Sequence, residues 1–199
     1  MSIRFAVAED LPAMLAIYGP YVEETCVSFE YEAPTLEAFS QRFAAITQQF
    51  PWLVWEEEGK LLGYAYASAP FERDAYRWCA EPSIYLAPSA HRRGIGRALY
   101  AALEAILEMQ GYRLLYAIIT ADNAVSLAFH EKLGYRHLAT FPGCGYKHGA
   151  CLGVVWMEKS LPFVDYPRDF PAPASKIVKN HKNLAAVLDK ISLSTSGKM

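Results

Sequence analysis

One stretch constrains this chain more than any other. His91-Arg92-Arg93-Gly94-Ile95-Gly96-Arg97-Ala98 follows a β-type run, Trp78 to Leu86, and opens an amphipathic one, Gly96 to Gln110. A strand that turns through glycines into a helix leaves several backbone N–H groups without a helical acceptor, at the positive end of the helix dipole. Glycine lets the main chain approach a phosphate closely, so a pyrophosphate is the natural guest. Two familiar phosphate loops are excluded. A Walker loop needs Gly-Lys-Ser/Thr, and here Arg97 follows Gly96. A dinucleotide fingerprint needs a third glycine where Leu99 stands. A plain glycine turn remains the alternative at this point.

The elements around the turn follow from periodicity. Ile3 to Val7 reads as a short strand. Leu11, Met14, Leu15 and Tyr18 recur at helical spacing behind Asp10 as a cap, and Gly19-Pro20 is expected to stop that helix. Thr25 to Tyr31 is too short to classify. Thr35 caps a second helix with Leu36, Phe39, Phe43 and Ile46 on one face. Trp52 to Glu57 and Leu61 to Ala67 read as strands joined by a turn at Glu58-Gly59-Lys60. Pro82 inside the Trp78–Leu86 run predicts a bulge or an edge, because proline cannot donate to a ladder. The long helix carries the stripe Ile95, Leu99, Leu103, Ile106 and ends at Gly111. Leu114 to Ile119 is a strand, Asn123 caps a helix from Ala124 to Leu133, and Arg136 to Phe141 and Leu152 to Glu158 finish the sheet.

The order βααβββαβαββ predicts an α/β chain. It has a central mixed sheet, antiparallel at first, with a parallel crossover in its second half and helices on both faces. Residues 1–160 read as one domain and 161–175 as a connector stiffened by Pro162, Pro167, Pro171 and Pro173. Residues 176–199 read as a tail with a basic amphipathic helix: Ile177, Leu184, Val187, Leu188 and Ile191 beside Lys176, Lys179, Lys182 and Lys190. This helix is expected to dock on its own domain or on a partner subunit.

Composition narrows the function classes. Nineteen Lys and Arg against 21 Asp and Glu give a net charge of −2, which argues against a nucleic-acid or membrane-surface partner. No apolar run reaches the roughly 20 residues that span a bilayer, and the start lacks a secretory pattern. Cys26, Cys79, Cys144 and Cys151 form no C-x-x-C pair and read as reduced thiols rather than a metal site. A cytoplasmic protein without a metal is expected.

Strand, Arg-Arg-Gly-Ile-Gly-Arg-Ala, helix, strand, Asn123 with Ser126, then Glu131-Lys132-Leu133-Gly134-Tyr135 is a specific succession. It resembles the GCN5-related N-acetyltransferase (GNAT) superfamily. Ser28-Phe29-Glu30-Tyr31-Glu32-Ala33-Pro34-Thr35-Leu36-Glu37, Gly63-Tyr64-Ala65-Tyr66-Ala67, Ala75-Tyr76-Arg77-Trp78 and Gly153-Val154-Val155-Trp156-Met157-Glu158 resemble its phosphinothricin and methionine sulfoximine or sulfone acetyltransferase branch. The resemblance covers about residues 2–160. It implies a GNAT fold, acetyl-CoA as co-substrate, a small amine as acceptor, and a homodimer. Acetyl transfer to another amine or a protein N-terminus, or acyl-CoA binding without transfer, are the competing functions. Two places depart from the branch. His91 and Arg92 occupy slots usually filled by Gln or Arg and by glycine. Ala150-Cys151-Leu152-Gly153 stands where the branch carries Arg-Trp-Leu-Asp.

Acetyl transfer needs a base for the amine and a proton for the departing thiolate. Glu81, in the strand leading to the turn, is the expected base, with a salt bridge to Arg77 as its alternative role. The resemblance implies His130 as the thiolate's proton donor. Backbone groups of Tyr85, Leu86 and Ala87 are expected to meet the pantetheine arm and the thioester oxygen. Arg92, Arg93, Gly94, Ile95, Gly96, Arg97 and Ala98 form the expected phosphate turn. Asn123, Ser126, Phe129 and Lys132 are further coenzyme candidates. Arg77 is expected to hold a substrate carboxylate with its two-pronged guanidinium. Phe29, Glu30 and Tyr31, with Tyr76, are expected to close the acceptor pocket.

Overall fold

The computed structural model describes residues 2–162, 169–180 and 188–191. Among these, the strands are β1 (Ser2–Phe5), β2 (Trp52–Glu57), β3 (Lys60–Ser68), β4 (Cys79–Leu86), β5 (Leu114–Thr120), β6 (Arg136–Lys147) and β7 (Ala150–Ser160). The helices are α1 (Leu11–Glu23), α2 (Leu36–Thr47), α3 (Ile95–Gln110), α4 (Ala124–Lys132) and α5 (Ala174–Asn180). The strands form one sheet in the order β1-β2-β3-β4-β5-β7-β6. β4 and β5, joined through α3, pair in parallel. Every other neighbouring pair is antiparallel. The expected mixed sheet and its crossover are therefore present.

Alternation along β2 shows how the sheet is covered. Leu53 and Trp55 pack with Leu99, Leu103 and Ile106 of α3, whereas Trp52 and Val54 pack with Met14 and Tyr18 of α1 and Phe39 of α2. Successive strand residues point to opposite faces, so α3 lies on one face and α1 and α2 on the other. Each fully buried Leu or Ile of the α3 stripe contributes about 1.5–3 kcal/mol. Thr35 caps α2 as expected, its hydroxyl accepting from Ala38 N at 3.2 Å.

Three expectations change. First, α1 runs through Gly19-Pro20 to Glu23. Pro20 costs one helical donor, but its carbonyl accepts from Glu24 N at 3.0 Å, and Tyr18 and Val22 are buried on either side of it. Tertiary burial outweighs the local break signal. Second, of the two readings of Pro82 the edge holds, since β5 pairs with β4 only as far as Ala80, and the bulge does not: Gly63↔Leu86 through Ser68↔Glu81 is an unbroken register. Third, β6 and β7 extend well past Phe141 and Leu152 to a two-residue turn at His148-Gly149. Both turn residues have positive φ, 50° and 78°, the hand that suits a tight hairpin. The polar, glycine-rich run Pro142–Gly145 hides the strand; a register shift between Phe141 and Gly145 absorbs it. The tail, in its described part, docks on its own domain, one of the two placements expected for it. Ile177 and Leu188 are buried in the core beside α3. The expected tail helix also spans 181–187, and Pro167 belongs to the expected connector; both lie outside the described residues.

Candidate active site

The site begins where β4 and β5 part. Their parallel pairing stops at Ala80↔Leu115. On the other side, Ala87 N donates to Leu62 O at 2.9 Å, which sets the phase of the β3–β4 ladder. Glu81, Ser83 and Tyr85 then turn their backbone groups to β3, while Pro82, Ile84 and Leu86 turn theirs to the side β5 has left. Pro82 fits here because its missing N–H faces a gap rather than a neighbour. This corrects two expected contacts. The backbone groups of Tyr85 and Ala87 are spent on β3, so the donors facing the gap are the N–H groups of Ile84 and Leu86. Tyr21 donates to Leu86 O at 2.7 Å on that same side, and the Tyr100 oxygen lies 3.2 Å from Pro82 O, its one proton being taken by His130.

A small cavity of about 70 Å³ occupies the gap, lined among others by Val27, Glu81, Tyr100, Thr120, Ser126 and His130. Burial lifts the Glu81 carboxyl to about 7, with no neighbouring charge contributing. His130 is buried, 4% exposed, and burial moves its imidazole below the ordinary range. Its Nδ1 lies 2.8 Å from the Ser126 carbonyl, which can only accept, so Nδ1 carries the proton. Nε2 then accepts from the Tyr100 hydroxyl at 2.8 Å. Asn123 caps α4 by accepting from Ser126 N at 3.0 Å. Tyr100 was not singled out in the sequence, where it stands beside the α3 stripe as one more core aromatic.

The other end of β4 leads to the glycine turn. Gly94 precedes α3 with φ 79°, a left-handed conformation that glycine adopts without a Cβ penalty. Ala98 N bonds Gly94 O at 3.1 Å, so the amides of Ile95, Gly96 and Arg97 come before the first helical bond. Ala98 is thereby corrected: its N–H is used, and its side chain, like that of Ile95, is buried in the core. The Arg93 guanidinium pairs with Glu57 at 2.7 Å, which leaves Arg93 its backbone alone to offer the turn. Arg92, Arg97 and Lys132 are exposed. The Phe129 ring sits 3.5 Å from where a Cβ on Gly96 would lie.

The loop between α1 and α2 packs across β5, β6 and β7. Thr120 donates to Cys26 O at 2.5 Å, and Tyr31 donates to Tyr146 O at 2.6 Å. Phe29 lies so close to Gly145 that a Cβ there would come within 2.3 Å of its ring. The Glu30 carboxylate is taken by Tyr18 and Arg42. It braces the loop rather than facing the cavity, and from this loop it is Val27 that lines it. Lys147, 2% exposed, donates from Nζ to Val22 O and Ser28 O, both at 2.6 Å. Val22 is in the last turn of α1, where the helix dipole is negative, so this buried ammonium caps the helix from the far hairpin. Its place in a strand that reads as loop concealed that role.

Tyr76 and Arg77 are not in the Glu81 cavity. Both line a second, larger one, where Arg77 is held by Asp74 at 2.7 Å. The expected pairing of Arg77 with a substrate carboxylate, and its alternative with Glu81, both give way to this ion pair.

A desolvated carboxyl, two unused strand amides and a helix N-terminus stand in sequence along one parted strand. That arrangement defines a class of protein that draws an anionic, extended acyl carrier into a sheet and presents its reactive end to a base. Residues 3–156 match the acetyltransferase (GNAT) domain, and the chain belongs to that family. It is 34% identical to phosphinothricin N-acetyltransferase of Streptomyces viridochromogenes over 87% of this chain and 90% of that protein. It is also 34% identical to the L-methionine sulfoximine/L-methionine sulfone acetyltransferase of Pseudomonas paraeruginosa, over 80% of this chain and 94% of that one. The structure of a phosphinothricin acetyltransferase from Sinorhizobium meliloti in complex with AcCoA superposes with a TM-score of 0.79 at 34% identity. That match covers 85% of this chain and 97% of the other.

Proposed function

We propose that this chain is an acetyl-CoA-dependent N-acetyltransferase acting on the α-amine of a small amino-acid-like acceptor, of the phosphinothricin or methionine sulfoximine or sulfone type. The observation that carries the reading is Glu81: a carboxyl poised at about 7 by burial alone, beside the parting of β4 and β5. A base works best when its pKa lies near the working pH.

The residues present suit the coenzyme as a substrate. The amides of Ile95, Gly96 and Arg97, with Gly94 turning the chain and the exposed Arg92 and Arg97 nearby, receive the pyrophosphate. The N–H groups of Ile84 and Leu86 receive the pantetheine arm, and one of them stabilises the oxygen of the thioester as it gains charge. Asn123, Ser126, Phe129 and Lys132 border this path from α4. The amine gives its proton to Glu81, directly or through one water. Its nitrogen then forms a bond to the acetyl carbon while the C–S bond breaks and its electron pair leaves on sulfur. His130, expected as the thiolate's proton donor, holds its one proton on Nδ1 toward the Ser126 carbonyl, so in this reading the thiolate's proton comes from the Glu81 carboxyl, which has just taken one from the amine. Phe29 and Tyr31 shape the acceptor side through the loop they anchor.

We also propose a cytoplasmic homodimer. The outer edge of the sheet, β6, supports this, since it carries exposed Leu138, Phe141 and Tyr146 along one long strand. In the same reading residues 1–160 are the catalytic unit and the tail is an addition to it. Turnover of acetyl-CoA against a panel of amines, read as free thiol, tests the function. Coenzyme binding without thiol release for any amine would replace transfer by a binding role.

A further inference from the structure

The second cavity measures about 360 Å³ and is lined by Phe50, Phe71, Tyr76, Tyr112 and Phe170, with Cys79 at the start of β4. Phe170 and Pro171 lie beyond residue 156, where the family match ends. One wall therefore comes from outside the segment that matches the family domain. It is firmly built. Pro171 O accepts from the Gln49 side-chain amide at 3.0 Å, Ala172 N donates to Gln110 O at 2.8 Å, and the Trp78 indole donates to Asp169 O at 3.3 Å. The Phe170 ring packs on Trp78 at 5.4 Å and lies 4.7 Å beneath the Arg77 guanidinium.

The lining specifies a guest. Five aromatic rings favour a flat apolar group. The charged members are Glu72, Asp74 and Arg77, and since Asp74 already neutralises Arg77, Glu72 leaves the wall with a negative excess. A carboxylate is disfavoured there. The position is also telling. Cys79 lines this cavity and Glu81 lines the other, two residues apart on the same face of β4 and so about 7 Å apart. An aromatic amino acid spans such a distance between its amine and its ring. We infer that this cavity receives the side chain of the acceptor, and that the acceptor class is α-amino acids with a neutral aromatic side chain. The inference rests on the acetyl-transfer reading and narrows its amino-acid-like acceptor to this class, in place of the phosphinothricin or methionine sulfoximine type.

The test compares L-phenylalanine with methionine sulfoximine as acceptors for the full chain and for two variants. Phe170→Ala removes a wall and Ala69→Trp fills the space; both positions are exposed, so folding is not at stake. The expected kcat/KM ratio favours phenylalanine by about tenfold or more, and each variant lowers that ratio by about tenfold, the effect of losing one aromatic burial. Equal use of both acceptors, or equal losses for both, overturns the pocket and leaves acetyl transfer standing. Transfer to no amine overturns the transfer reading instead. Calorimetric binding of phenylalanine then decides the pocket: binding to the parent that both variants lose supports it, and no binding, or binding the variants keep, overturns it.

Discussion

At pH 7 the Glu81 carboxyl is close to half ionised, because burial disfavours its charge and no opposite charge beside it compensates. Glu81→Gln is expected to lower kcat by ~10²–10⁴ with the acetyl-CoA dissociation constant unchanged, and to abolish the acidic limb of the pH–rate profile. The same burial has a thermodynamic side. The folded protein holds a proton on Glu81 up to about 7, whereas the unfolded chain releases it near 4.5. Between those values the folded state binds more protons, so this group's contribution falls as pH rises from about 4.5 to 7 and stays low above. Glu81→Gln removes that penalty. Urea melts should show the variant gaining up to about 3 kcal/mol over the parent at pH 8 and almost nothing at pH 4. A variant equally stable relative to the parent at both pH values would mean the carboxyl is not desolvated. Removing Lys147 destabilises instead. Lys147→Met leaves two buried carbonyls without their donor, at a cost of about 2–4 kcal/mol. The KM for the amine should rise while acetyl-CoA affinity holds, because the loop it fixes carries Val27 into the Glu81 cavity. An unchanged melting temperature would remove Lys147 from this role.

The glycine turn and its helix separate backbone shape from side-chain space. Gly94 sits at positive φ, whereas a Cβ on Gly96 would meet Ile84, Leu86 and Phe129 at 3.4–3.5 Å, ordinary contact distances. Gly94→Val should therefore cost about 1–2 kcal/mol in folding and weaken acetyl-CoA binding more than tenfold, while Gly96→Ala is tolerated. Equilibrium binding of coenzyme to both variants checks this, and equal tolerance would detach the turn from phosphate binding. Elements of this kind were the most legible in the sequence: the α3 stripe, the Thr35 and Asn123 caps and the β2–β3 turn are local signals. Gly19-Pro20 and Pro142–Gly145 misled for one shared reason. Each local break signal is outweighed by something distant in sequence, namely the burial around α1 and the partner strand β7. Glu81 was legible because it lies next to the turn in sequence. Arg77 was misplaced because its neighbours Asp74 and Phe170 decide where its charge goes.

At the scale of the whole molecule the tail is structural. Ile177 and Leu188 are buried against the α3 face, and Gln110 donates from its side-chain amide to both Gln49 O and Ala172 O. Truncation after residue 160 should lower stability by about 3–6 kcal/mol, the worth of two buried aliphatic side chains, and calorimetry or thermal melts would read it. A truncated chain that melts with the parent would make the tail an independent appendage. The bonds from Lys147 to Val22 and Ser28 span 125 and 119 residues. During synthesis the N-terminal segment leaves the ribosome long before its donor exists. The end of α1 and the loop beyond it must wait, incomplete, until the last hairpin emerges and folds back. Long-range closure of this kind is slow. A nascent chain halted before β6 would carry the base, the glycine turn and the coenzyme strand, yet lack a finished entrance for the amine.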